Sequence, residues 1–171
     1  MFLIPFVPMR MSNQFLESGG KKKDGYIAIL LALLLYGVSV YISFSSESGM
    51  SVSLFFIFFN VIIPRLLGIV ALLILSSFLG SILSAFEEGS NSYLPLAIGF
   101  SLLPIILVTP IYMIFPSAGF DIYYILLIWQ TVVYVIGLNV FCSIEIKKAA
   151  IIGVVATVIV RLIAYYFHWI N

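Results

Sequence analysis

Runs of about 20 apolar residues recur along this 171-residue chain, and they constrain its fold more than any other feature. A helix of that length crosses the hydrocarbon core of a bilayer, which is roughly 30 Å thick. The composition agrees, since 63% of the residues are hydrophobic and only 9% are charged. The sequence therefore predicts an all-α integral membrane protein.

The apolar runs predict a five-span transmembrane helix bundle that follows a short cytoplasmic tail. The tail comprises residues 1–25, and the sequence leaves open whether Met1 or Met11 is its start. The membrane domain comprises residues 26–171, with predicted spans at about 26–44, 65–86, 95–115, 122–142 and 149–167.

One apolar stretch, residues 52–86, is too long for a single straight span. As one helix it would reach about 50 Å at about 1.5 Å per residue. Pro64 lies inside it, and a proline removes one backbone hydrogen bond and clashes with the preceding turn. We therefore expect the helix to break at Pro64, which leaves residues 54–63 as an interfacial segment.

The lysines and arginines predict which way the bundle is inserted. Cytoplasmic loops carry an excess of both residues. The lysine clusters at 21–23 and 147–148 fall on one side of a five-span bundle, and the loops at 45–53 and 116–121 on the other side contain neither lysine nor arginine. We therefore expect a cytoplasmic N-terminus and a C-terminus outside.

Arg65 and Arg161 lie within apolar sequence, where a charge is costly. In the predicted topology both fall in the outer half of the bilayer. Asp121 is the acidic residue best placed to reach them, and Glu47 is a second candidate. Two interpretations remain open: structural charges, paired or reaching the head groups, or a site for a ligand or transported ion.

On a helical wheel, small residues lie close in angle to the arginine of each of these two predicted spans. Such residues allow helix backbones to approach closely in membranes. The predicted helix-packing positions are Gly68, Ser76 and Gly80 in span two, and Ala150, Gly153 and Thr157 in span five.

The sequence carries no catalytic signature, such as a glycine-rich phosphate loop or a histidine–glutamate metal motif. Its one cysteine, Cys142, and one histidine, His168, do not suffice for a zinc cluster. A net charge of +1 gives no broad basic surface for nucleic acid. We therefore predict a protein that is not an enzyme and has no cofactor, no metal and no nucleic-acid partner.

Several segments resemble the Yip-domain family (Ypt-interacting proteins), in particular its small prokaryotic members. A polar turn with Gly89 precedes residues 98–104 (IGFSLLP), which are similar to the aromatic-Ser-x-x-Pro span of that family. Residues 129–138 (WQTVVYVIGL) look like its fourth span, and residues 147–149 (KKA) look like the step that opens its last span. The resemblance implies five spans, a cytoplasmic N-terminus and no catalytic residue.

Two functions from different classes are consistent with these features. The favoured one is a non-enzymatic scaffold or accessory subunit in a prokaryotic plasma membrane. Such a protein would pack against other membrane subunits or copies of itself, or it would organise lipids or trafficking. The alternative is a small transporter or channel with an outer vestibule lined by Arg65, Arg161 and Asp121. Eukaryotic family members act with small GTPases through a longer N-terminal region. We do not expect GTPase binding here, because only about 25 residues precede the first span.

Overall fold

The structure is a computed structural model that describes residues 22–48, 53–87, 90–104 and 119–166. Every regular element within these ranges is helical, as an all-α membrane protein requires. The helices are α1 (Lys22–Ser48), α2 (Leu54–Ile57), α3 (Ile63–Ile82), α4 (Leu94–Leu102), α5 (Gly119–Phe141) and α6 (Ile146–Tyr166). A π-helical turn, Phe58–Ile62, joins α2 to α3, and a 3₁₀ turn, Ser90–Tyr93, precedes α4.

Four stretches in the described part of the chain are long and apolar enough to cross a membrane. They are Lys23–Ile42, Phe55–Ile82, Tyr124–Phe141 and Ile146–Tyr166. The predicted third span, 95–115, is described only at its beginning, where α4 lies, and the rest falls outside the described residues. The five-span count and the orientation of the termini remain predictions.

The predicted break at Pro64 is wrong, because the helical backbone continues from residue 54 to residue 82. The deviation from α geometry comes earlier, in the π turn, where the Ile63 N–H donates to the Phe58 carbonyl. The π turn lies directly before Pro64, so the helix departs from α geometry at the point where the proline cannot donate a backbone hydrogen bond. Residues 54–63 therefore continue into the second span without a break.

Two other boundaries differ from the prediction. Helix α1 starts at Lys22 and extends to Ser48, so the polar residues 45–48 are helical. Helix α3 ends at Ile82, before the predicted limit of residue 86. Ser84 follows with a φ of 45°, a left-handed conformation that stops a helix.

Helix α4 lies at the centre of the bundle, and every residue from 94 to 101 is buried. It packs against α1 on one side and α5 on another. A Cβ built on Gly99 would lie 2.7 Å from the Gly25 carbonyl oxygen of α1, and one built on Gly137 of α5 would lie 3.0 Å from the Ala97 Cα. The three helices therefore touch through backbone atoms.

The remaining contacts form a second side of the bundle, in which α6 packs against both α3 and α5. Tyr134 of α5 and Ser76 of α3 are both buried, and the tyrosine hydroxyl donates to the serine Oγ at 2.6 Å. This bond ties α5 to α3.

Candidate functional site

Arg65 and Arg161 line the same cavity, although they lie 96 positions apart in the sequence. Arg65 comes from α3 and Arg161 from α6, and the two helices pack against each other. The cavity has a volume of about 430 Å³. That volume falls within the range of about 300–1,000 Å³ that is usual for small-molecule sites. This cavity is the candidate functional site.

Arg65 is held against Tyr36 of α1. Its Nη2 donates to the Tyr36 hydroxyl at 3.0 Å, and its Cζ lies 4.6 Å from the centre of the tyrosine ring. A guanidinium on an aromatic ring gains a cation–π interaction, which strengthens where water is excluded. Arg65 directly follows Pro64 in the first turn of α3.

Arg161 is held against one face of α5. Its Nη2 donates to the Leu127 carbonyl at 2.7 Å and lies 3.3 Å from both the Gln130 Oε1 and the Thr131 Oγ1. All three acceptors are neutral groups of α5. Arg161 is partly buried, and the contacts fix it beside the cavity.

The two arginines lie at similar depth in the bundle. Lys148, near the start of α6, donates to the Ser84 carbonyl just beyond α3 at 3.3 Å, which places those two helix ends together. From there, Arg65 is about 26 Å up α3 and Arg161 about 20 Å up α6 at about 1.5 Å per residue. Both charges are therefore near the opposite end of the bundle.

The cavity wall is mostly apolar and also carries several polar side chains. Tyr36, Tyr124 and Tyr165 line it together with Gln130 and Thr157. Tyrosine is enriched where hydrocarbon meets the head groups of a bilayer. The described lining residues include two arginines and no Asp or Glu. The cavity therefore combines positive charge with an apolar wall.

The predicted partner of these arginines, Asp121, is only partly described. Its backbone belongs to α5, but its side chain lies outside the described residues, as does that of Glu47 in α1. The ion pair between Asp121 and Arg161 therefore remains a prediction. The structure adds Tyr36 as a neutral partner of Arg65 and Gln130 as a neutral partner of Arg161.

The small residues predicted for helix packing occupy different surroundings. A Cβ on Gly153 would lie 2.6 Å from the Val135 Cγ2 of α5, whereas one on Gly68 would lie 3.8 Å from the Val160 Cγ1, an ordinary contact. A Cβ on Gly80 would overlap the ring of Phe86, which folds back after α3.

The other three predicted packing residues differ in burial. Ser76 is buried and accepts the Tyr134 bond, and Thr157 is buried, donates to the Gly153 carbonyl and lines the cavity. Ala150 is only half-buried. Close approach of α6 to α5 therefore depends chiefly on Gly153.

Sequence reasoning missed Tyr36 and Tyr134 as parts of this region. Gln130 and Tyr134 are four positions apart, a spacing that places them on one face of α5, and this was the available signal. Asn139, also in α5, donates to the Ile144 carbonyl at 2.7 Å in the loop after that helix. Tyr36 gave no signal, because its contact with Arg65 depends on how α1 is rotated.

The described residues contain no group of three or more His, Cys, Asp or Glu side chains that could hold a metal ion. Arginine guanidinium groups suit carboxylate and phosphate oxygens, whether these belong to an acidic side chain of the protein or to a bound anion. The fold and this cavity define a helical membrane protein.

The family model for the Yip1 domain matches residues 6–168, and the chain belongs to the Yip1 domain family. This confirms the resemblance seen at residues 98–104, 129–138 and 147–149. No curated protein and no solved structure matches the chain.

Proposed function

We propose that this protein is a non-enzymatic scaffold or accessory subunit of a prokaryotic plasma membrane, which packs against membrane partners or organises lipids. The observation that carries the proposal is the enclosed packing of α4. Backbone contacts at Gly25, Gly99 and Gly137 make this part of the bundle a fixed frame. A fixed frame suits a protein that positions neighbours, because its outer surface keeps one shape.

The outward-facing apolar side chains supply the contact surface in this proposal. On α3, Phe78 is 62% exposed and Ile74 is 63% exposed, whereas Leu72 on the opposite face is 7% exposed. In a bilayer such a face meets lipid or another helix, and helices associate there through van der Waals packing. Other membrane subunits, or further copies of this chain, are the proposed partners.

Photo-crosslinking in intact membranes tests the proposal. A photoreactive residue at Phe78 should form adducts with a stoichiometric protein companion, or with a second copy of this chain. The same residue at buried Leu72, on the same helix, is the matched control and should form none. The companion should also remain with the protein through purification in a gentle detergent.

The alternative, a small transporter or channel, predicts a different result. Protein reconstituted alone into liposomes would then conduct an anion, and Arg65→Gln with Arg161→Gln would abolish the flux. We expect no flux above that of empty liposomes. Flux without any companion would contradict the scaffold proposal.

A further inference from the structure

We infer, beyond the proposed scaffold role and independently of it, that the protein prefers phospholipids with long acyl chains, which cover one projecting end of its second apolar helix. That end carries four exposed phenylalanines, Phe55, Phe56, Phe58 and Phe59, and is termed the phenylalanine end. Three observations support this lipid preference: the length of the helix, the position of its end beside α6 and the continuity of its exposed face.

The second apolar helix is too long for an ordinary hydrocarbon core. Its apolar stretch, Phe55–Ile82, has 28 residues, whereas the stretches in α5 and α6 have 18 and 21. At about 1.5 Å per residue these lengths are about 42, 27 and 32 Å, and the core is roughly 30 Å thick. A helix of about 42 Å would fit such a core only at a tilt of about 44°, and membrane helices tilt by about 0–40°. Tilt alone therefore does not accommodate this helix.

The extra length lies at the phenylalanine end, as a contact between α3 and α6 indicates. A Cβ on Gly68 of α3 would lie 3.8 Å from the Val160 Cγ1 of α6. From this contact α6 continues for about 9 Å to Tyr166, whereas the other helix continues for about 20 Å to Phe55. Tyr166 is exposed, and tyrosine is enriched where hydrocarbon meets the head groups. The phenylalanine end therefore extends about 10 Å past a residue typical of that boundary.

The exposed face of the helix runs on into the phenylalanine end. Leu67 is exposed on α3, and Phe55, at the far end, is 70% exposed. Asn60 is the one residue of 54–63 with a polar side chain, and it donates to the Phe56 carbonyl of its own helix at 3.0 Å. Because helical backbone groups are also bonded internally, this segment can lie in hydrocarbon without an unsatisfied polar group.

Acyl chains suit this surface better than a single docked helix does. Of the five residues 55–59, Ile57 alone is buried, with 4% of its surface exposed. The phenylalanines therefore surround most of the helix. A docked helix would cover one side of it, whereas fluid chains reach every side and remove all four rings from water.

Arg65 does not mark the hydrocarbon boundary on this helix. Its Nη2 donates to the Tyr36 hydroxyl of α1 at 3.0 Å, and its side chain lines the cavity. The arginine thus lies on the side of the helix that faces the bundle, where its depth is set by protein contacts. Lipid chains contact the opposite side.

The first test varies bilayer thickness around the wild-type protein. The full-length chain is reconstituted into dimyristoleoyl, dioleoyl or dierucoyl phosphatidylcholine, in order of increasing thickness, and its melting temperature is measured. We expect the melting temperature to rise along the series and to be highest in dierucoyl phosphatidylcholine, because mismatch with the hydrocarbon thickness is costly. A maximum in either thinner bilayer, or no dependence on thickness, would overturn the inference.

A pair of variants ties the preference to the phenylalanine end. Phe55→Gln with Phe59→Gln places polar groups there, so the melting temperature should become highest in dioleoyl phosphatidylcholine. Val70→Gln, at an exposed site near the middle of the same helix, is the control. It should lower the melting temperature in all three bilayers and leave dierucoyl phosphatidylcholine the most favourable. A double variant that still melts highest in that lipid, or a control that loses the preference, would contradict the assignment.

A depth measurement covers the case in which the double variant does not fold. In a Cys142→Ala background, a nitroxide on Phe56→Cys is tested for collisions with oxygen, which enters hydrocarbon, and with a water-soluble nickel complex. We expect oxygen to dominate in dierucoyl phosphatidylcholine and the nickel complex in dimyristoleoyl phosphatidylcholine. A nitroxide on Val70→Cys should collide with oxygen in all three bilayers.

The other positions of the phenylalanine end give different results, and each would overturn the inference. Nickel access at Phe56→Cys in every bilayer would place this end among the head groups. Oxygen access in every bilayer would show that the helix bends or tilts to fit. Protection from both reagents would show that a second copy of the chain covers the phenylalanines.

The two proposals fail separately. A protein that keeps its companion but shows no preference for long chains contradicts the lipid preference alone. A protein that is most stable in dierucoyl phosphatidylcholine but has no companion contradicts the scaffold role alone.

Discussion

Around α4 the helices approach so closely that backbone atoms meet, whereas beside the cavity α3 packs against α6 through side chains. The contrast is clearest at two glycines. A Cβ on Gly99 would lie 2.7 Å from the Gly25 carbonyl oxygen, but a Cβ on Gly68 would meet nothing closer than the Val160 Cγ1 at 3.8 Å. One region has no room for a methyl group, and the other keeps a space of about 430 Å³ beside it.

The difference shows how a chain with few polar residues builds both a frame and a site. In a membrane, lipid is as apolar as leucine, so close packing and a few polar contacts hold the helices together. The packed region around α4 supplies that cohesion without polar groups. The cavity region carries the two embedded arginines, whose positions depend on that frame.

The largest expected effect concerns the side of the membrane that the cavity faces. A cysteine on a loop either reacts with an impermeant reagent or does not, so the outcome of labelling is all-or-none. In a Cys142→Ala background, cysteine at Ser48 should react with an impermeant reagent in intact cells. Cysteine at Ser90 should react only after permeabilisation, because the lysine clusters predict a cytoplasmic N-terminus. The reverse pattern would place the arginine cavity in the cytoplasmic leaflet.

Substitution of the two contrasting glycines is the next test. Gly99→Ala should destabilise the protein by about 1–3 kcal/mol, because its methyl group would force α1 away from α4. Gly68→Ala should cost nothing measurable, since its methyl group fits and alanine favours a helix. The measurement is thermal or chemical unfolding in detergent. Equal effects of the two variants would remove the distinction between packed frame and open cavity.

The bond between Tyr134 and Ser76 links the two regions, so its loss should have an intermediate effect. Both residues are at most 1% exposed. Tyr134→Phe should destabilise the protein by about 1–2 kcal/mol, because the Ser76 hydroxyl loses its donor. Tyr165→Phe, at an exposed tyrosine, is the control and should change little. If the losses of stability in Ser76→Ala and Tyr134→Phe simply add in the double variant, the bond between the two residues contributes no stability.

The amino-acid sequence predicts the elements of this fold better than their contacts. Apolar runs of span length locate α1, α3, α5 and α6, because hydrocarbon thickness fixes helix length. They do not reveal that α4 is enclosed, since a lipid-facing residue and a protein-facing residue are both apolar. Continuity through Pro64 was missed because a π turn depends on local backbone geometry, which hydropathy does not record.

The candidate site was predictable in its charges but not in its partners. A charge inside an apolar run stands out in any sequence, so Arg65 and Arg161 could be found. Tyr36 lies 29 positions before Arg65, and their contact depends on the rotation of α1. A tyrosine in a membrane span has too many ordinary roles to be singled out by its position.

Asp121 and Gln130 offer competing accounts of how Arg161 is held. If the predicted ion pair forms, Asp121→Ala leaves Arg161 without its counter-charge and destabilises the protein more than Arg161→Ala does. The Asp121→Ala, Arg161→Ala double variant should then recover part of that loss. Simple addition of the two effects would refute the ion pair and leave the neutral contacts as the anchors of Arg161.

The smallest expected effect is the coupling between Gln130 and Arg161. The Gln130 Oε1 lies 3.3 Å from the Arg161 Nη2, a longer approach than the 2.7 Å to the Leu127 carbonyl. Polar pairs between membrane helices contribute about 0.6 kcal/mol on average, so a Gln130→Ala, Arg161→Ala double-mutant cycle should give a coupling energy near that value.

The single variant Gln130→Ala is a second test of how Arg161 is held. The backbone carbonyl of Leu127 survives any side-chain substitution, so this variant should leave Arg161 beside the cavity. That variant should therefore lose only a little thermal stability in detergent. A loss well above about 0.6 kcal/mol in Gln130→Ala would show that Gln130, rather than the α5 backbone, is the main anchor of the arginine.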